Sequence, residues 1–186
     1  MLLCYYTALC SAGHKSLFGI QGSGFAIIND DKIFDTLCEG GSGVDSFSQE
    51  MPLLRPERYD AGTVSTPSIV SLGAGIKFLN KMGMDEVQKR ISDLSEILKF
   101  YLKKIPSINI YGVNNGIASF NLKDYPSSYV SDLLDKSNIA TRSGFHCSPI
   151  IHQKLGTSKR GAVRVSMSIF NTEKEIYSLY NALKGI

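Results

Sequence analysis

A lysine, a cysteine and an arginine, each in its own glycine- or hydroxyl-bearing segment, are the residues of this chain best placed to do chemistry. The first segment reads Ser11-Ala12-Gly13-His14-Lys15-Ser16-Leu17-Phe18-Gly19-Ile20-Gln21-Gly22-Ser23-Gly24. A lysine that follows a strand, beside a histidine and among glycines, lies where backbone can approach a bound group closely. The pattern G-x-x-x-x-G-K-[ST] is absent around Lys15, which excludes a P-loop. A lysine that condenses with a cofactor aldehyde fits the segment. A solvated lysine on a glycine turn fits it equally.

The second segment is Thr141-Arg142-Ser143-Gly144-Phe145-His146-Cys147-Ser148-Pro149. Ser148-Pro149 suits the start of a helix. That places Cys147 just before a helix N-terminus, beside His146 and near Arg142, in surroundings that favour a nucleophilic thiol. Most free cysteines are buried and inert, but the polar neighbourhood here argues against a core position. The third segment, Gly161-Ala162-Val163-Arg164-Val165-Ser166, reads as a strand with Val163 and Val165 on one side and Arg164 on the other. An arginine in a short apolar strand needs an anion, either a protein carboxylate in a salt bridge or a ligand carboxylate gripped by two parallel hydrogen bonds. The fourth, Ala61-Gly62-Thr63-Val64-Ser65-Thr66-Pro67, offers hydroxyls and backbone N–H groups at a helix start, which suit an anion or plain capping.

The elements that must hold these segments follow from periodicity. Residues 2–9 and 24–28 read as strands, the second closed by the turn signal Asn29-Asp30-Asp31. Residues 38–66 are irregular, and a connection of that length is uncommon unless it is functional. From Pro67 to about Ile105 the spacing is helical. One stripe holds Ile69, Leu72, Ile76 and Leu79, and another holds Val87, Ile91, Leu94, Leu98 and Leu102. Gly83, between Met82 and Met84, is expected to split this stretch into two helices. Strands follow at 108–111 and 117–120 around Asn114-Asn115-Gly116, then a helix at 127–137 and a strand at 139–142. A short helix reaching Leu155, a strand at 162–167 and a closing helix from Thr172 complete the reading. Thr172 and Glu175 form a capping-box pattern.

The chain has 186 residues, 43% hydrophobic and 20% charged, which excludes disorder and leaves enough for a core. A net charge of +3 is too mild to suggest nucleic acid. No apolar run approaches a membrane span, so no membrane partner is expected. Residues 1–12 lack the basic start of a secretory leader and read instead as a buried strand entering a turn. Cys4, Cys10, Cys38 and Cys147 show no metal-ligand spacing and suit a reducing cytoplasm, and no metal is expected.

Taken in order, these segments resemble the class V aminotransferases, a family of pyridoxal-phosphate enzymes, and most closely the cysteine desulfurase branch. Gly13-His14-Lys15 to Gln21-Gly22-Ser23-Gly24 is similar to the family's lysine loop. Tyr59-Asp60-Ala61-Gly62-Thr63 to Leu72-Gly73-Ala74-Gly75-Ile76 is similar to its dimer-spanning segment. Arg142 to Pro149 is similar to the desulfurase thiol loop, and Val163-Arg164-Val165-Ser166 with Phe170-Asn171-Thr172-Glu173 to the closing motif.

The resemblance implies that Lys15 bonds the cofactor with His14 near its phosphate, and that Gly62 and Thr63 reach the partner's cofactor phosphate across a homodimer. It further implies that Cys147 is the nucleophile and persulfide carrier, and that Arg164 holds the carboxylate of the cysteine substrate. A sulfur-acceptor protein would then take the sulfur.

The family is considerably longer. Its N-terminal half carries an aspartate for the pyridine nitrogen, a ring-stacking residue and further phosphate ligands, none of which precedes Lys15 here. Ala12 stands where relatives often have a hydroxyl, Ile20 where they have a proline, and Ser65 and Ser68 where they have an asparagine and a glycine.

The implied fold class is α/β. It is the C-terminal part of a fold type I pyridoxal-phosphate-dependent large domain (residues 1–84) followed by a small α+β domain (residues 85–186). The chain is expected to be incomplete alone, needing a complementing N-terminal half. Another class V aminotransferase, a selenocysteine lyase-like enzyme or a non-catalytic remnant that binds a partner are the competing readings.

Overall fold

The computed structural model describes residues 7–28 and 34–186, and the chain divides into two units, Met1–Lys81 and Met82–Ile186. In the first unit, strands β1 (Ala8–Ala12) and β2 (Gly24–Ile28) pair antiparallel, with Cys10 opposite Ala26. β1 runs past the expected end at Leu9 to Ala12, because pairing with β2 ends only where Gly13 turns the chain. Residues 2–6 and the Asn29-Asp30-Asp31 turn signal lie outside the described residues. The stretch from Leu37 to Ser65 is irregular apart from one 3-10 turn, Glu57–Tyr59.

Helix α1 (Thr66–Met82) follows. Its buried face is Ser68, Leu72, Gly75 and Leu79, while Ile69 and Ile76 are 57% and 37% exposed. This corrects the apolar stripe expected from spacing. Packing against the 13–23 loop, rather than the line of largest side chains, decides which face turns inward. Gly75 is the reason the two can meet, since a Cβ there would overlap the carbonyl of Leu17. The Ile20 amide donates to Ser71 Oγ at 2.9 Å, and the Phe18 and Phe78 rings meet edge to face at 6.0 Å.

In the second unit, helix α2 (Met84–Leu102) starts after Gly83, which takes φ 88°. A backbone angle of that sign breaks the helical run where glycine tolerates it. Strands β3 (Ile108–Asn114) and β4 (Ile117–Leu122) form the hairpin expected at Asn115-Gly116, with φ 47° and 78° at those residues. Helix α3 (Ser127–Lys136), strand β5 (Arg142–Gly144), helix α4 (Pro149–Lys154), strand β6 (Ala162–Ser166) and helix α5 (Glu173–Lys184) complete the unit. The four strands lie in the antiparallel order β3-β4-β6-β5.

β5 starts three residues and ends two residues later than the expected 139–142. Asn138, at φ 58°, closes α3, and the Ile139 amide bonds back to the Leu134 carbonyl, so these residues cap the helix instead of joining the sheet. Leu94, Leu98 and Leu102 of α2 pack with Phe120 of β4, Val163 and Val165 of β6, Leu134 of α3 and Leu179 of α5 in one core. The capping box at the start of α5 forms as the sequence suggests. Glu175 Oε2 accepts from the Thr172 amide at 2.6 Å, and that bond, foremost, holds the Glu175 carboxyl below its usual range.

Candidate active site

The two units carry different parts of the expected machinery. In the first, β1 and β2 flank a loop whose shape is set by bonds at its base. The Gly13 amide donates to the Ser23 carbonyl at 2.8 Å, and the Gly19 amide to the Gly13 carbonyl at 2.9 Å. A Cβ on Gly13 or Gly19 would sit 2.5 or 2.6 Å from Ser23 Oγ, so a side chain at either position would have to turn Ser23 away from its 2.7 Å bond to the Ile20 carbonyl. His14 and Lys15 project from this braced base and are exposed. Gly62 (φ 80°) and Thr63 lie in the exposed segment before α1, where the Gly62 amide donates to the Gly41 carbonyl at 3.0 Å.

In the second unit, alternation along the strands sorts the side chains. Val163 and Val165 enter the core, which turns Arg164 to the other face of the sheet. Arg164 is directly opposite Ser119 on one side and Arg142 on the other. Like charges directly opposite on neighbouring strands repel. Among the described residues neither guanidinium has a carboxylate partner, and Arg164 Nε is buried with no hydrogen bond. A buried, unpaired donor on a cation is costly, and an anion is the group that would satisfy it.

The thiol stands beside that row. Cys147 is exposed, and Arg142 Nη2 lies 3.9 Å from its Sγ. The turn that carries it has φ values of 101°, 51° and 61° at Gly144, His146 and Cys147. Ser148 occupies the N-cap of α4 and Pro149 its first turn, although the Ser148 side chain makes no capping bond. Below the turn, His146 Nε2 is 3.1 Å from the Ala162 carbonyl, and buried His152 Nδ1 is 2.7 Å from Thr157 Oγ1. Asn121, also buried, donates to the Gly161 carbonyl at 2.9 Å and to the Tyr111 hydroxyl at 3.1 Å. Residues 121, 152 and 157 carried no signal in the sequence, because their partners are remote in sequence or hidden inside a loop.

Burial, foremost, pushes His146 below the ordinary histidine range. The nearby Arg164, His152 and Arg142 push the same way, against the Ala162 carbonyl, which favours the protonated ring. An unfolded histidine titrates near about pH 6.5. The folded chain therefore holds its full contribution from neutral His146 above that value and loses it as pH falls through the lower folded-state pKa. Thermal melts at pH 7.5 and 5.5 should show a loss of stability in the parent that is smaller in His146→Gln. Equal losses in the two proteins would contradict this.

The sequence model of the family described as aminotransferase class-V matches residues 7–179. The chain belongs to that family. It is 32% identical to a probable cysteine desulfurase of Methanothermobacter thermautotrophicus, over 94% of this chain and 46% of that protein. The structure of a cysteine desulfurase from Thermococcus onnurineus superposes with a TM-score of 0.85 at 27% identity, covering 96% of this chain and 46% of that one. An S-sulfonic acid form of a cysteine desulfurase from Escherichia coli gives the same TM-score at 23% identity, over 95% and 45% of the two chains. The fold is thus mixed α/β and matches part of these enzymes. The chain spans about half the length of the curated relatives it matches.

The residues present fit the family's cofactor. An exposed primary amine on a loop held at its base, with an imidazole beside it, is a donor pair that suits the aldehyde and the phosphate of such a group, and it is one part of the set the cofactor needs. Among the described residues, no cluster of side chains suits a metal ion, and no helix is long and apolar enough to cross a membrane.

Proposed function

We propose that this chain supplies the cofactor lysine, the sulfur-accepting thiol and the carboxylate-binding arginine of a pyridoxal-phosphate-dependent cysteine desulfurase. The observation that carries the reading is the Arg142–Cys147–Arg164 group: Arg142 Nη2 lies 3.9 Å from an exposed thiol, Arg164 stands opposite Arg142 on the neighbouring strand, and among the described residues neither arginine has a carboxylate partner. A cysteine substrate brings both missing partners, a carboxylate for Arg164 and a sulfur for Cys147.

Pyridoxal phosphate, when bound, supplies the electron sink for the carbon skeleton of the substrate. Lys15 would hold the cofactor through its amine, and the same amine would carry protons to and from the substrate carbon. His14 would lie beside the cofactor phosphate, and Gly62 and Thr63 would serve the phosphate site of a second copy in a homodimer. Arg164 grips the substrate carboxylate and fixes its orientation, which lowers the entropic part of the barrier. Cys147 Sγ, as thiolate, attacks the substrate sulfur. The new S–S bond forms as the Cβ–S bond breaks, and the bonding pair stays with carbon, which takes a proton and leaves as alanine. The persulfide left on Cys147 then passes to a sulfur-acceptor protein, in the cytoplasm.

The test is to load the full protein with pyridoxal phosphate, fix the cofactor to its lysine with borohydride and map the label by peptide mass spectrometry. The label is expected on Lys15. Labelling of another lysine, or of none, would remove the cofactor assignment.

A further inference from the structure

The turn that carries Cys147 has an unusual backbone, and the structure shows what holds it. His146 and Cys147 both adopt left-handed angles, φ 51° and 61°, although neither is glycine. Each such residue costs on the order of 1 kcal/mol, so two in succession persist only where surrounding contacts enforce them. The strands at either side are fixed. The Gly144 amide donates to Ser127 Oγ at 3.2 Å, and Gly161 lies so close that a Cβ there would be 2.8 Å from Gly144 Cα. Between Gly144 and α4, however, the backbone of the turn bonds only locally, through the Ser148 amide to the Phe145 carbonyl at 2.8 Å. Among the described residues, one uncharged hydrogen bond leaves the turn for the sheet, from His146 Nε2 to the Ala162 carbonyl.

We propose that His146 is a positioning residue for Cys147: it pins the thiol-bearing turn to β6 next to Arg164, and this tether keeps the Arg142 guanidinium against the sulfur. A carbonyl oxygen only accepts, so Nε2 carries the hydrogen and Nδ1 is left with a bare lone pair. Nδ1 is buried without a partner, and the ring stands 5.9 Å from that of His152. A second proton on this ring would find no acceptor among the described residues and would face Arg164 and Arg142, and since Nε2–H donates to the carbonyl in either form the tether keeps one sense. Without it the two left-handed residues relax, and Sγ leaves the reach of Arg142.

The inference rests on Cys147 being the working thiol, but its test needs neither cofactor nor substrate. The rate of Cys147 alkylation by iodoacetamide, read by peptide mass spectrometry with Cys10 and Cys38 as internal references, is measured in the full chain. Arg142→Gln should change this rate about fivefold in the parent, because a cation beside a sulfur governs its nucleophilicity. In the His146→Ala background the same substitution should change it by less than about 1.5-fold, the signature of coupled residues. His146→Gln, long enough for its amide to donate to the Ala162 carbonyl, should restore the coupling, whereas His146→Asn, one carbon shorter, should not. The Gln and Asn pair carries the comparison if the alanine variant fails to fold. Equal effects of Arg142→Gln in all backgrounds, or no effect in the parent, overturn the proposal. A protein that shows the coupling yet makes no alanine from cysteine would refute the desulfurase reading and leave this one standing.

Discussion

Cys147→Ser is expected to abolish release of sulfur from cysteine, by about a thousandfold or more, while the cofactor still binds through Lys15. The size follows from the chemistry. Removing a covalent nucleophile removes the step itself, and losses of this order are what such deletions produce. Serine keeps the shape of the side chain, but its hydroxyl is not ionised near neutral pH and cannot take sulfur to form a persulfide. The substitution should not disturb the fold, because Cys147 is exposed and the one side-chain hydrogen bond to its sulfur among the described residues, from Arg142 Nη2, is 3.9 Å long. The measurement is alanine and sulfide formed from cysteine by the cofactor-loaded protein. Alanine formation within tenfold of the parent would show that Cys147 is not the sulfur carrier. Survival of transamination or of selenocysteine cleavage in the variant, with desulfuration lost, would mark the thiol as specific to sulfur.

The features that were legible in the sequence are those set by neighbours along the chain. Gly83 breaks the long helical stretch, Asn115-Gly116 turns the hairpin and Thr172 with Glu175 caps α5, each within four residues of its partner and each as expected. The nearness of Arg142 to Cys147 belongs to the same class, five residues apart on one turn. What spacing missed depends on contacts made after folding. The α1 stripe fails because Ile69 and Ile76 are apolar but Gly75 is what the 13–23 loop can approach. β5 is displaced because the end of α3 takes the Ile139 amide. The polar floor of the thiol turn was invisible because its bonds span large separations, 16 residues from His146 to Ala162 and 40 from Asn121 to Gly161.

The two units also differ in how they are held. The second has a continuous core that runs through three helices and three strands. Among its described residues, the first buries only Leu72 and Leu79 as large apolar side chains, while Leu37 and Phe47 stand 99% and 100% exposed. Apolar surface on that scale normally meets other protein. The Arg142–Cys147–Arg164 group is therefore held by the core of its own unit, whereas the Lys15 loop depends on glycine-tight contacts with a single helix. Both arrangements place the side chain proposed to react at an exposed tip and concentrate the local packing on the backbone beneath it.

Arg164→Gln separates a substrate-binding arginine from a structural one, because the two roles predict opposite changes in stability. Arg164 faces Arg142 across β5 and β6, and its Nε is buried and unpartnered. Removing one of two opposed cations relieves repulsion, so the melting temperature should stay level or rise. The loss should appear in catalysis. Truncating one partner of a desolvated, hydrogen-bonded charge pair costs roughly 2–4 kcal/mol, which is about 30- to 1,000-fold in kcat/KM, carried mainly by KM for cysteine. Arg164→Lys should recover little of it, since an ammonium cannot offer a carboxylate two parallel hydrogen bonds. Alkylation of Cys147 should proceed as in the parent within about twofold, because the guanidinium that touches Sγ belongs to Arg142. A fall of several degrees in melting temperature with KM unchanged would instead make Arg164 part of the scaffold, and the anion it awaits would have to come from the protein.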